Sequence, residues 1–188
     1  MSRIASIGKA LMIALVVAVN ASAATSALAA SAMEIDAGVD AALAMLYREV
    51  PGTAELAERA RAVLVFPSIV KGGLMLGGQY GNGALRQQGR TTGYYRTTAV
   101  SYGFQAGAQT FGYALFFMTT GALDYLEETD GWEIGTGPSL VVLDDGMAKS
   151  FSSTTIQHDI YAFVFGQQGL MAGAGLQGSK ISRIEPRD

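Results

Sequence analysis

The chain has no cysteine, one histidine and four prolines in 188 residues. Without Cys there can be no disulfide, no thiolate nucleophile, no Cys-ligated metal and no iron–sulfur cluster. With His158 alone, a His-based metal cluster or a His–His acid/base pair within one chain is excluded. Charged residues are scarce at 15%, against 49% apolar. That balance is too apolar and too weakly charged for a disordered chain. No long hydrophobic run occurs either: the longest, Ala10 to Val19, has ten residues, half of the roughly 20 a membrane-spanning helix needs.

That short run belongs to an N-terminal leader. Arg3 and Lys9 precede it, and Ala27-Leu28-Ala29 and Ala30-Ser31-Ala32 follow as A-x-A sites. This is the layout of a secretory signal peptide, residues 1–29, cleaved near Ala29 to Ala32. The expected location is therefore the periplasm, peripheral to a membrane if membrane-associated at all. The missing Cys closes the bacterial lipoprotein route. Residues 30–188 have the length of a single domain with a sizeable core.

Charge is segregated along the mature chain. From Ala30 to Glu58 there are six acids and one base; from Arg59 to Leu123, six bases and no acid; from Asp124 to Asp159, eight acids and one base. Strand-rich sequence is poor in Asp and Glu, but the pattern also fits a basic face on a net acidic domain. Salt screens fields over about 10 Å at 0.1 M, so a docked anion meets local charge.

Gly is abundant, with 24 residues and no collagen period. Residues 34–50 have helical spacing of Ile35, Val39, Ala42, Leu43, Leu46 and Val50, ended by Pro51-Gly52. Thr53 reads as the cap of a second, Ala-rich helix reaching about Ala62. Val63 to Phe66 reads as a short strand stopped by Pro67. From Gly72 the period is two, with Phe111, Tyr113, Leu115 and Phe117 alternating against Gly112, Ala114, Phe116 and Met118. Gly81-Asn82-Gly83, Gln88-Gly89-Arg90, Asp130-Gly131 and Asp145-Gly146 read as turns. Residues 120–128 predict a helix crossing between strands. Further strands are expected near 132–136, 139–143, 147–152, 159–165, 169–176 and 180–184. Glycines within strands are tolerated where a sheet bends or bulges. The fold expected is α+β: a strongly coiled, Gly-rich antiparallel sheet or barrel with N-terminal helices packed against it.

Motifs for chemistry are weak. Gly173 to Gly178 spells G-x-G-x-x-G, but the chain ends ten residues later, with no room for the helix and acid of a dinucleotide site. Glu127-Glu128 and Asp144-Asp145 are adjacent acids, which do not oppose each other across a site as an acid/base pair must, and Asp144-Asp145-Gly146 lacks EF-hand spacing for calcium. His158 beside Asp159 needs a nucleophile that no G-x-S-x-G elbow supplies. No catalytic residue, metal site or cofactor is expected.

Bases interleave with aromatics instead: Lys71, Tyr80, Arg86, Tyr94-Tyr95-Arg96 and Tyr102. Lys and Arg among Tyr suit phosphate head groups, at about 1 kcal/mol per base near an anionic membrane. The same pattern could hold nucleic acid; export and a pI of 5.1 argue against it.

Phe66-Pro67-Ser68-Ile69-Val70-Lys71-Gly72-Gly73 resembles the SYLF domain family of lipid-binding proteins. So do Gly93-Tyr94-Tyr95, Gln105 to Gln109, Asp130 to Gly135, Tyr161-Ala162-Phe163 and Gly175 to Ile181, in order, from about Thr53 to Ile184. The resemblance implies a lipid-binding module without catalysis. Eukaryotic members join it to a Src-homology domain, bind phosphoinositides and act in actin-linked membrane traffic; an exported chain lacking that partner domain is not expected to share those roles. Bacterial members are often lipoproteins or periplasmic. The expectation is a periplasmic domain docking anionic phospholipid through Lys71, Arg86, Arg96, Lys180, Tyr94 and Tyr95. The alternative is a periplasmic protein-interaction or structural module without lipid ligand.

Overall fold

The computed structural model describes residues 30–74, 76–102, 107–143, 157–169, 176 and 178–187. The leader, the G-x-G-x-x-G glycines Gly173 and Gly175, the acids Asp144 and Asp145, and the strand expected at 147–152 lie outside the described residues, as does nearly all of 169–176.

Helix α1 spans Ala32–Glu49 and opens on a capping box. Ser31 Oγ accepts from the Glu34 N–H, and the Glu34 carboxylate accepts from the Ser31 N–H. Its buried stripe is Ile35, Val39, Ala42 and Leu46. Pro51 forces Val50 into extended geometry and ends it. Helix α2 follows at Thr53–Arg59. Thr53 is not its cap; Gly52 is, at φ 86°, and the buried Thr53 hydroxyl donates back to the Val50 carbonyl at 2.7 Å.

Four long strands come next: β1 Ala62–Leu74, β2 Leu76–Gln87, β3 Arg90–Tyr102 and β4 Gly107–Phe117. Helix α3 (Thr120–Glu128), capped by Thr119, leads to β5 (Trp132–Glu133), β6 (Leu140–Leu143), β7 (Ile160–Gly169) and β8 (Lys180–Ile184). The eight strands form one sheet in the order β5-β8-β3-β2-β1-β4-β7-β6, curled into a half-barrel. The fold is α+β, as expected. Every pairing is antiparallel except β6 with β7, which is parallel. The β2–β3 turn is Gln88-Gly89, both at positive φ, the geometry a two-residue hairpin needs.

Two expectations fail at one place. Pro67 does not stop β1, and Gly81-Asn82-Gly83 is not a turn but the middle of β2. Proline sits in a central strand here because it occupies a bulge, where no ladder N–H is required. From Val65 to Ser68 the chain passes three steps while β2 passes two, and β4 slips likewise between Tyr113 and Phe111. The neighbouring strands approach so closely that a Cβ on Gly83 would lie 2.1 Å from the Val65 carbonyl oxygen. One on Gly112 would lie 2.9 Å from the Pro67 oxygen and 2.5 Å from the Phe165 ring. A second bulge, at Gly166 on β7, lies on the far side of β4. The two bulges mark a line across the sheet where bending is accommodated.

On the Ala62–Phe66 side of that line both faces are covered. Val63, Val65, Ala84, Ala114, Phe116, Tyr161, Phe163 and Phe165 pack under α1 and α2. Leu64, Phe66, Leu85, Tyr95, Tyr113, Leu115, Phe117, Ala162 and Val164 pack on the opposite face, closed by α3, Trp132 and Ile134. These are called the α1 face and the α3 face below.

Candidate functional site

Past the bulge line the same strands run on with different side chains. Because paired residues on neighbouring strands share a face, the register assembles rows. On the α1 face one row is Ser68, Asn82, Arg96 and Ser182; the next is Val70, Tyr80, Thr98, Lys180 and Glu133; the third includes Gly72, Gly78 and Val100. Helix α1 does not cover this end: Val70 is 57% exposed and Val100 71%. Arg96 Nε donates to Asn82 Oδ1 at 3.2 Å, and its guanidinium lies 5.1 Å from the Tyr80 ring centre. That cation–π contact is worth about 0.5–1 kcal/mol when exposed and fixes the Arg96 charge. Lys180 is exposed, opposite Thr98 on one side and Glu133 on the other. Its stem runs over Gly131, where a Cβ would stand 2.3 Å from Lys180 Cε.

Lys71 does not join them. Its partners are Gln79 on β2 and Gln109 on β4, and all three face the α3 side. Gln79 and Gln109 are buried and Lys71 is half-buried.

Arg86 and Tyr94 are committed elsewhere. Arg86 Nη2 meets Asp40 Oδ1 at 2.6 Å and Asp36 Oδ1 at 3.4 Å. The Asp36 carboxylate also accepts from Tyr94 Oη at 2.8 Å and Thr91 Oγ1 at 2.7 Å. Burial, then the bond to Asp36, raises the Tyr94 phenol above its ordinary range. This group ties α1 to the sheet. Tyr95, next in chain, points to the α3 face and is 1% exposed. Burial raises its phenol also, opposed by the nearby Arg183 charge.

The six residues expected to form one basic, aromatic face are therefore parted. Arg96 and Lys180 come together on the α1 face, Lys71 lies on the other, Arg86 and Tyr94 form a helix clamp, and Tyr95 is core. Sequence reasoning missed Val70 and Val100 as members of the exposed end. Their signal was period-two spacing: Val100 continues Arg96 and Thr98.

His158 and Asp159 face different partners. Asp159 accepts from the Ser139 N–H at 3.0 Å, Ser139 Oγ at 2.8 Å and Thr119 Oγ1 at 3.1 Å. These bonds, led by Ser139, hold its carboxyl below the usual range. The Ser139 proton thus goes to Asp159, while His158 stands edge-on to Tyr161, ring centres 5.9 Å apart. These bonds form a clasp joining the starts of β6, β7 and α3. Among the described residues no three His, Asp or Glu could hold a metal, and no helix is long and apolar enough to cross a membrane.

A groove of about 530 Å³ lies between α1, α2 and the β2–β3 turn, floored by Leu43, Ala57 and Val63. No family model matches the chain, and neither does any curated protein.

Proposed function

We propose that this is a non-catalytic lipid-binding domain of the periplasm that docks on anionic phospholipid with the far end of its α1 face. The observation carrying this reading is the meeting of exposed Val70 and Val100 with Tyr80, Arg96 and Lys180 on one uncovered stretch of sheet. Aliphatic side chains enter the head-group boundary, an aromatic ring sits at that boundary, and cations meet phosphate. Two bases contribute about 2 kcal/mol at an anionic surface, less what Glu133 takes from Lys180. The two valines add apolar burial at about 25 cal/mol per Å². The sum is weak, reversible docking, matching a chain that bears no lipidation cysteine. The resemblance to SYLF domains supports the ligand class.

Co-sedimentation of the mature protein with vesicles tests the reading. Binding is expected to phosphatidylglycerol-containing vesicles, falling with salt and absent on neutral vesicles. Arg96→Glu with Lys180→Glu should abolish it at unchanged melting temperature. Binding that ignores lipid charge would remove the cationic mechanism. Absence of binding to any vesicle would leave the protein-interaction module, for which the 530 Å³ groove is the natural seat.

A further inference from the structure

We infer that the chain carries a processing site at the Ala29–Ala30 peptide bond, and that the exported domain begins at Ala30. The inference rests on reading residues 1–29 as a leader and is independent of lipid docking. The sequence offers two A-x-A sites in succession, Ala27-Leu28-Ala29 and Ala30-Ser31-Ala32, and either suits a leader peptidase that cuts after small residues. The fold separates them, because Ser31 is built into the domain. Its hydroxyl accepts from the Glu34 N–H at 3.2 Å, and its own N–H donates to Glu34 Oε2 at 2.9 Å. Its carbonyl accepts from the Ile35 N–H at 3.1 Å, and its backbone pairs in parallel with Arg187. Ala30, next to it, is half-buried against the core of the α1 face.

Cleavage after Ala32 would strip all of these contacts from the start of α1. The first-turn N–H groups would lose their cap. The new ammonium would stand at Met33, inside the first turn, where the helix dipole opposes positive charge. Cleavage after Ala29 keeps every contact. The two bonds also differ as substrates, since proteolysis concentrates in chain outside regular elements. Ser31 is extended, at φ −70° and ψ 159°, and the helix begins at Ala32. The Ala32–Met33 bond therefore lies within α1, while the Ala29–Ala30 bond precedes it. The capping box joins residues three apart in sequence, so its formation does not require the sheet. In the step itself water adds across the Ala29–Ala30 amide. Ala29 leaves with a carboxylate, and the Ala30 nitrogen, released from its acyl group, becomes the ammonium of the domain.

Expression of the full chain in a secreting bacterium, with intact mass and N-terminal sequencing of the exported protein, tests the site. One species beginning at Ala30 is expected. Ala29→Leu should remove that species, and Ala32→Leu should leave it unchanged. Melting of the exported protein supplies a second readout. Ser31→Ala should lower the melting temperature by about 3 °C, the loss of one cap in a domain of this size, and Ser31→Asp, which caps as well, should retain it. If the domain instead begins at Met33, Ser31→Ala leaves the melting temperature of the exported protein where it was. A start at Met33 or at any other residue, or a melting temperature indifferent to Ser31→Ala, overturns the inference while export stands. A chain that keeps residues 1–29 overturns both the inference and the leader reading. Vesicle docking is measured separately and stands or falls apart from each of these results.

Discussion

The two ends of β1 and β2 belong to the same hydrogen-bonded ladder yet do opposite work. Before the Pro67 bulge, Val63 to Phe66 alternate between two hydrophobic layers, and each side chain is at most 6% exposed. Beyond it, Val70 is exposed, Lys71 faces an amide-lined row, and Gly72, Gly73, Gly77 and Gly78 replace side chains altogether. The covered end binds helices on both faces and defines the fold. The uncovered end keeps the backbone order of that sheet but leaves the side chains of its α1 face to solvent. A functional surface can be built there without weakening the core, because its residues are positioned by ladder bonds rather than by their own burial.

Substitution at glycine contrasts the two ends most strongly. Gly83→Ala places a methyl on the Val65 carbonyl, too close for backbone to yield, and should cost about 3 kcal/mol and lower the melting temperature well into the working range. Gly78→Ala, where a Cβ meets nothing within 4 Å, should change stability by no more than about 0.5 kcal/mol. Equal effects in thermal melts would show that the two ends are not distinct. A smaller effect comes from the helix clamp. Asp36→Ala removes the acceptor of Thr91 and Tyr94 and one partner of Arg86, which should cost about 2 kcal/mol. It should also lower the pH at which Tyr94 ionises, read by ultraviolet absorbance against pH; an unmoved titration would mean Asp36 does not hold the ring.

Asp159 belongs to the covered end and predicts a weak acid limb. Its folded carboxyl ionises below the unfolded value, so its contribution is present above the ordinary Asp range, near about pH 4, and is lost as pH falls through the lower folded value. The group is largely solvated, so the loss should be under about 1 kcal/mol. Asp159→Asn should flatten stability over that window, measured by denaturant midpoints. The smallest change in stability is expected at the uncovered end: Val70→Ser with Val100→Ser should leave the melting temperature in place while vesicle binding falls severalfold.

Much of the covered end was legible in advance. Helical spacing marked α1, period-two spacing marked β4 with its two faces, and the glycine of Gln88-Gly89-Arg90 marked a turn, in which Gln88 also takes a positive φ. The Gly81 and Gly83 pair misled because glycine serves turns and close backbone approach alike. Local sequence does not distinguish them; the carbonyl of Val65 does. Pro67 misled for a related reason: a proline ends a regular strand but fits a bulged one.

Sequence by itself determined the helices, the alternation of the strands and the long carboxylate-free stretch, because each is expressed over neighbouring residues. The side of the sheet on which a residue falls was decided only by the tertiary structure. One extra residue at the bulge carries Lys71 to the α3 face, where uninterrupted alternation from Val65 would have put it on the α1 face. The fate of Arg86 and Tyr94 was equally non-local, since their acids lie 46 and 58 positions away. Charges separated that far along a chain acquire partners only when the sheet and helix close on each other.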